Sequence, residues 1–545
     1  MSKRENINYG KEVYTMKTLS QKGKILMVLT CILYALESVI IAVMAYTNGK
    51  IIEFATNGDL HKMGWAVAAA FGLALLCYLE VAVATYTRFA YLSNGEMTMK
   101  SEIIKNILKR PLQSFRGEND AFYLNLMSTD MTMYKNDYLG VFPYLFSSVF
   151  AIISSAYVLW TLHIWLLVAA LAMAIIPMVA IKPFATIEKK LRGEYSVATE
   201  QYTNVLKETI EGYEVIRTGN GADDFQARHD HASENRQKYF RKFGFVSTMS
   251  FQTLMSVAGL SNIVCLGVGG YLAVQGLVAA GMLFSASNYF TSLSNAFTNI
   301  TDYIITIRSS KDVVEKLQKQ RNLPIPDDSG VPLAAPTDIS YENVSFSFGE
   351  KKLYDRFSHT FRQGGCYAVV GESGSGKSTM FKLLLKYFDN YEGDILLGGQ
   401  NIKKLSENEI YLKIGIITQT PYLFNATFYD NITMFSGNPK EDSDEYKNLL
   451  NDLNLTALAR QVGDVPLGDF GDNISGGERQ RINIARTMLR KPEILIFDEP
   501  TTGLDPENAA LIDNFIFNHK GITRIVISHN WAEDYLNRFD EIIKL

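Results

Sequence analysis

The fold class predicted is an all-helical membrane domain of six transmembrane spans followed by a cytosolic α/β domain with a phosphate-binding loop. Three observations carry it. Apolar residues make up 47% of the 545-residue chain and gather before residue 310, in runs of the ~20 residues that cross a bilayer. A proline-rich stretch, Leu323-Pro-Ile-Pro-Asp-Asp-Ser-Gly-Val-Pro332 followed by Pro336, then interrupts the chain as a linker would. Beyond it, Tyr367-Ala-Val-Val370 leads into Gly371-Glu-Ser-Gly-Ser-Gly-Lys-Ser-Thr379, a strand, glycine-rich loop and helix start in the order that binds phosphate. The expected divisions are 1–322, a linker at 323–336, and 337–545.

Lys3, Arg4, Lys11, Lys17, Lys22 and Lys24 precede the first apolar run, which is long and has no small-residue cleavage site. An uncleaved span is therefore expected rather than a signal peptide. Spans are predicted near 24–46, 63–92, 138–160, 164–183, 246–274 and 279–307. Between the second and third lie Lys100, Lys105, Lys109, Arg110, Arg116 and Lys135; between the fourth and fifth lie Lys189, Lys190, Arg192, Arg217, Arg228, Arg236, Lys238, Arg241 and Lys242. Basic loops face the cytoplasm, so the termini and the phosphate-loop domain are expected there, in a multi-pass cell-membrane protein. Gly117-Glu-Asn-Asp120 and Gly219-Asn-Gly221 are the predicted turns within these two basic segments.

A net charge of -4, with no basic stripe in the soluble half, gives no reason to expect nucleic acid as a partner. Cys31, Cys77, Cys265 and Cys366 are scattered without metal-ligand spacing, which suits small buried hydrophobes.

In the soluble half, Ile339–Phe348, Cys366–Val370, Ile494–Phe497 and Arg524–Ile527 read as strands, and 377–387 as a helix. Glycines let the backbone N–H groups of Gly371, Glu372, Ser373, Gly374, Ser375, Gly376, Lys377, Ser378 and Thr379 close around ATP phosphates, helped by the helix dipole. Lys377 would reach the terminal phosphates and Ser378 would coordinate Mg²⁺. Asp498 ends an apolar strand, where it would hold Mg²⁺, and Glu499 is the expected general base for the attacking water.

Ile474-Ser-Gly-Gly-Glu478 lies just upstream of Ile494-Leu-Ile-Phe-Asp-Glu499 and Pro500-Thr-Thr-Gly-Leu-Asp505. This combination resembles the ATP-binding cassette of ABC transporters. Arg110-Pro-Leu112, Asp130 and Glu211-Gly-Tyr-Glu-Val-Ile216 resemble the cytoplasmic loops of ABC exporters, so the resemblance spans nearly the whole chain.

It implies that Gln419 is a catalytic residue and a third Mg²⁺ ligand, touching the ion and the attacking water and so serving as a sensor. It also implies that His529 assists Glu499 and that Asp505 communicates between subunits. Ser475, Gly476, Gly477 and Glu478 would complete the ATP site of a second chain. Phe348 stands where the family stacks an aromatic on adenine, many members having Tyr; core packing is the other reading, with Phe346 expected to point oppositely and to be the core residue. The chain departs from the common pattern in Ile474 and Glu478, where Leu and Gln are usual, and in Gly468-Asp-Phe-Gly471, which makes Asp469 a candidate contact to the membrane domain. With the sequence ending at Glu541-Ile-Ile-Lys-Leu545 the usual C-terminal helices are expected to be missing, and with roughly 23 residues before the first span no peptidase domain is expected.

The expected protein is a half-transporter that pairs with itself or with a different half. It would use ATP and Mg²⁺ to export a peptide, drug-like or lipid-like substrate by alternating access. An importer of a metal chelate or other small molecule on the same fold, and a regulatory membrane ATPase without flux, are the alternatives. Glu37 and Glu80 lie within spans, where charge is costly; they line a cation-selecting substrate cavity or serve an internal polar contact.

Overall fold

A computed structural model describes residues 19–118, 120–323, 333, 337–349, 351–468 and 471–545. The chain divides into two compact units, with boundaries after residues 106, 119 and 323, so that the stretch from residue 107 to 119 belongs with the second unit.

The first unit consists of long helices: α1 (Gln21–Thr56), α2 (Leu60–Leu108), α3 (Val141–Leu162), α4 (Ile164–Glu211), α5 (Ala222–Val274) and α6 (Met282–Arg321). Among the described residues, five segments are long and apolar enough to cross a membrane: Gln21–Thr56, Leu60–Leu108, Phe122–Leu162, Ile164–Phe184 and Ala222–Val274. Helix α6 is also long, but Ser, Thr and Asn recur along it, so it falls short of that apolarity. The sixth predicted span is thus present as a helix but differs from the others in chemistry.

Small and hydroxylated residues set the helix contacts, as expected where the solvent is lipid. Ser285 Oγ donates to the Ala45 carbonyl at 2.7 Å and Tyr289 Oη to Ala42 at 2.6 Å, fastening α6 to α1. Ser38 Oγ bonds to the Ser147 carbonyl at 3.0 Å, joining α1 to α3. A Cβ on Gly49 would lie 2.0 Å from Ser285 Oγ, so the backbones approach closely there. The buried Asp130 pairs with Lys316 Nζ at 2.6 Å.

The second unit contains two sheets. Strands β3 (Cys366–Val370), β6 (Ile414–Ile417), β7 (Ile494–Asp498), β8 (Thr523–Ser528) and β9 (Glu541–Lys544) form a parallel sheet in the order β6-β7-β8-β3-β9. Its central strands are almost uniformly buried, as parallel strands covered on both faces must be. Strands β1 (Ile339–Phe348), β2 (Lys351–Phe361), β4 (Glu392–Leu397) and β5 (Gln400–Asn401) form an antiparallel sheet in the order β2-β1-β4-β5. The helices that matter for the site are α7 (Lys377–Leu384), α8 (Gly476–Met488) and α9 (Pro506–Asn518).

The two predicted turns in the basic segments flank short helices. Leu112–Arg116 packs within the second unit: the Leu112 N–H donates to the Glu407 carboxylate at 3.3 Å, and the Arg116 guanidinium lies 4.7 Å from the centre of the Tyr387 ring. Tyr213–Thr218 belongs to the first unit and leaves Tyr213 and Val215 exposed.

Candidate nucleotide site

Strand β3 delivers the chain into the phosphate loop, and α7 takes it away. The turn needs glycine at two points: Gly374 and Gly376 have φ of +79° and +105°, and a Cβ on Gly376 would sit 2.7 Å from Tyr354 Oη. Tyr354 donates its hydroxyl hydrogen to the Gly376 carbonyl, and Lys351 Nζ donates to Gly374 O at 3.0 Å. Both β2 side chains therefore brace the loop from outside, a role not visible in the motif itself. Lys377 is buried, with Nζ donating to the carbonyls of Gly371 at 2.9 Å and Glu372 at 2.8 Å. Ser375 Oγ is buried without a hydrogen-bond partner among the described residues. A buried ammonium and an orphaned hydroxyl in one glycine loop fit a polyphosphate, which supplies acceptors for both.

Ser378 Oγ donates to Asp498 Oδ1 at 2.9 Å. Burial pushes the Asp498 carboxyl above its usual range, while the Ser378 bond acts the other way. A hydroxyl and a desolvated carboxylate side by side are hard oxygen donors that fit Mg²⁺. Gln419, the third expected ligand, is engaged elsewhere: its Nε2 donates to Glu499 Oε2 at 3.1 Å.

Glu499 is the meeting point of the site. It has φ of +50°, a left-handed conformation uncommon outside glycine, and its N–H donates to Ile527 O at 3.1 Å. That bond ties the end of β7 to β8, the strand that His529 directly follows. His529 Nε2 lies 2.9 Å from Glu499 Oε1. Thr502 Oγ1 donates to Glu499 Oε2 at 3.4 Å, so a third side chain reaches the carboxylate. Thr502 stands only three residues beyond Glu499, the spacing of a tight turn, which is the signal from which it was recoverable.

Ser475 to Glu478 form a separate group. Ser475 caps α8, its Oγ accepting from Glu478 N at 3.3 Å, while the Glu478 carboxylate accepts from Ser475 N at 2.8 Å. This is a reciprocal capping box. No hydrogen bond joins these residues to the phosphate loop among the described residues. A Cβ on Gly477 would meet Asn508 at 2.5 Å, whereas one on Gly476 would find its nearest neighbour, Leu504, at 3.6 Å. Asn508 donates to Asp505 Oδ2 at 2.6 Å, and Asp505 caps α9 by accepting from Asn508 N at 3.0 Å; these bonds hold its carboxyl below the ordinary range. Asp505 and the Ser475 turn are thus adjacent through Asn508.

The loop after β6 is anchored to α8. Arg486 Nε and Nη1 donate to the carbonyls of Asn431 and Tyr422, each at 2.8 Å, and Gln480 Nε2 donates to Thr418 O at 3.1 Å. Movement of Gln419 is therefore mechanically connected to the helix that carries Ser475.

Phe348 is 63% exposed and Phe346 is 3% exposed. Two residues apart, they share a face of β1, with ring centroids 6.0 and 5.4 Å from that of Phe388. It is the place of Phe348 at the end of the strand, not the expected opposite facing, that leaves it exposed. Asp469 lies outside the described residues. In the first unit, Glu37 lines a cavity of about 290 Å³ with Tyr34, Tyr144 and Ser147. Glu80 is not on that wall: it is 7% exposed, and neither carboxylate oxygen has a hydrogen-bond partner among the described residues.

Comparison with known proteins adds the following. Residues 354–502 match the family model described as ABC transporter, and residues 27–297 match the model described as ABC transporter transmembrane region. An ATP-dependent lipid A-core flippase of Syntrophus aciditrophicus (strain SB) is 27% identical over 460 residues, covering 82% of this chain and 75% of the flippase. A probable multidrug resistance ABC transporter ATP-binding/permease protein of Bacillus subtilis (strain 168) is 25% identical over 464 residues, covering 82% of this chain and 67% of that protein. The structure of a bacterial Atm1-family ABC exporter with ATP bound matches with a TM-score of 0.79 at 19% identity, over 96% of this chain and 93% of that one. At that identity the likeness concerns the fold alone.

Proposed function

The chain belongs to the exporter-type ABC transporters, multi-pass membrane proteins that couple ATP hydrolysis to transport, and on that premise we propose that it is a paired half-transporter exporting a lipid-like, drug-like or peptide substrate. The observation that supports pairing is the separation within the cassette. Glu499 is held by Gln419 and His529 beside the phosphate loop, whereas Ser475 to Gly477, among the described residues, make no hydrogen bond to that loop and are engaged only in the local cap with Glu478.

In the mechanism we propose, Lys377 and the loop N–H groups bind the phosphates of ATP, Phe348 offers its ring to the adenine, and Ser378 with Asp498 holds Mg²⁺. The ion neutralises phosphate charge when bound. Glu499 accepts a proton from the attacking water; His529 and Thr502 fix the carboxylate, and Gln419 relays its state to α8 through Gln480 and Arg486. Ser475, Gly476 and Gly477 of each chain complete the site of the other, and Asp505 beside them carries the signal between sites. Two identical chains satisfy this arrangement, since one sequence carries both halves. The termini and cassette lie in the cytoplasm, on the side of the basic loops. Glu37, on its cavity wall, is the group a cationic substrate would meet.

The test is directional flux. In inside-out vesicles, ATP should drive an amphiphilic substrate into the lumen, and Glu499→Gln should stop it. ATP-driven movement outward would establish an importer, and hydrolysis with no flux across a panel of lipids, drugs and peptides would establish a regulatory ATPase.

A further inference from the structure

The departure of α6 from membrane apolarity has a pattern. Asn288, Ser292, Asn295 and Asn299 are spaced by four, three and four residues, which puts them on one helix face. With Ser38 and Asn48 of α1 and Ser147 of α3, that face lines a cavity of about 430 Å³ within the first unit. Asn288, Asn295 and Asn299 are exposed rather than packed. Asn288 Nδ2 donates back to the Phe284 carbonyl at 3.1 Å, while the amides of Asn48, Asn295 and Asn299 have no hydrogen-bond partner among the described residues.

An amide turned to hydrocarbon without a partner costs several kcal/mol, so such a face belongs against water or a polar ligand. The lining contains no Asp, Glu, Lys, Arg or His. A charged group brought here would lose its hydration and find no counter-charge. Asparagine amides both donate and accept, which matches hydroxyls and peptide groups. Ile41 and Met44 on the same wall offer apolar contact beside them.

We infer that this cavity is a subsite for an uncharged, multiply hydrogen-bonding group carried on an apolar body, such as a sugar or a blocked peptide on an alkyl chain. The inference deepens the transport reading and rests on it. The cavity also differs from the neighbouring one that holds Glu37, with which it shares Ser147.

The experiment is equilibrium binding, without nucleotide, to the full chain in lipid nanodiscs. Four fluorescent amphiphiles share one alkyl chain and carry a maltose, an acetylated and amidated tetrapeptide of uncharged residues, a trimethylammonium or a sulfate head. The maltose head, the peptide head or both should bind selectively, and which of them does so identifies the source of the neutral group. Asn295→Leu combined with Asn299→Leu should weaken that binding tenfold or more, and the corresponding Gln pair should retain most of it. The trimethylammonium probe should not respond to the Leu pair. Equal binding of all four heads, equal loss in the Leu and Gln pairs, or loss of chain pairing with no change in binding would overturn the assignment. Selective binding without ATP-driven movement would instead count against the transport reading and leave the subsite standing.

Discussion

Glu499 is touched by Gln419, His529 and Thr502, while Ser475, in the same unit, has its hydroxyl turned to Glu478. The first cluster draws side chains from the segments that follow β6, β7 and β8 and converges on one carboxylate. The second is local, satisfies itself through a capping box, and leaves only the first-turn N–H groups of α8 for an outside acceptor. A site assembled within one chain would have to bring these two clusters together. In the function proposed above, the hydrolytic half is preorganised and a second chain supplies the other half.

The largest effect expected is from Glu499→Gln, which removes the proton acceptor but keeps the shape. Turnover should fall by ~10²–10⁴ while ATP binding persists and the paired state accumulates, as read by steady-state hydrolysis and size-exclusion in ATP. Normal turnover would sink the general-base role.

Gly476→Asp probes the other cluster. Its own chain has room for a side chain at that position, with the nearest neighbour 3.6 Å from the new Cβ, and an acid suits a first helical turn. Thermal stability should stay near wild type while hydrolysis collapses through repulsion of the partner's nucleotide. An equally inert Gly476→Asp in the hydrolysis assay would break the comparison. Gly477 is unsuitable because Asn508 occupies the space a Cβ needs.

Smaller losses should come from the groups that orient Glu499. His529→Ala should cost ~10² in turnover with little change in ATP affinity. Thr502→Ala removes a single long bond and should cost about fivefold, the equivalent of about 1 kcal/mol. If Thr502→Ala were the more damaging, the geometry around Glu499 would need to be reassigned.

The smallest expected effect concerns stability. Because burial holds the Asp498 carboxyl above its ordinary range, the nucleotide-free fold is penalised as pH rises from the unfolded to the folded pKa, and the full penalty persists above it. Asp498→Asn should therefore raise the melting temperature slightly at neutral pH and abolish the further rise given by Mg²⁺ with ATP. A lower melting temperature without ligand would contradict the desolvation argument.

Much of this was legible in the sequence because it is local. The phosphate loop, the strand ending in Asp498 and the turn from Pro500 to Asp505 each fall within one short segment, and their spacing identifies them. The predicted strands correspond to β1, β3, β7 and β8 within a residue, and the helix predicted at 377–387 ends at Leu384. What escaped depends on pairing across the chain. The bracing of the loop by Tyr354 and Lys351 follows from the β1–β2 register and from where β2 runs. Strand β9 becomes evident only when the edge of β3 is seen to need a neighbour. The membership of Leu112–Arg116 in the second unit is set by Glu407 and Tyr387, almost three hundred residues away. The polarity of α6 was visible in its asparagines, but their common face needed the helix.

The most direct test mixes two inactive chains. Lys377→Ala disables the phosphate loop, and Gly476→Asp disables the Ser475 turn; neither alone should hydrolyse ATP. If each site is built from two chains, their mixed dimer contains one intact site, and hydrolysis should reappear when the two are co-expressed and purified together. If the mixed preparation stays as inactive as its parents, the site is completed within one chain and the account fails.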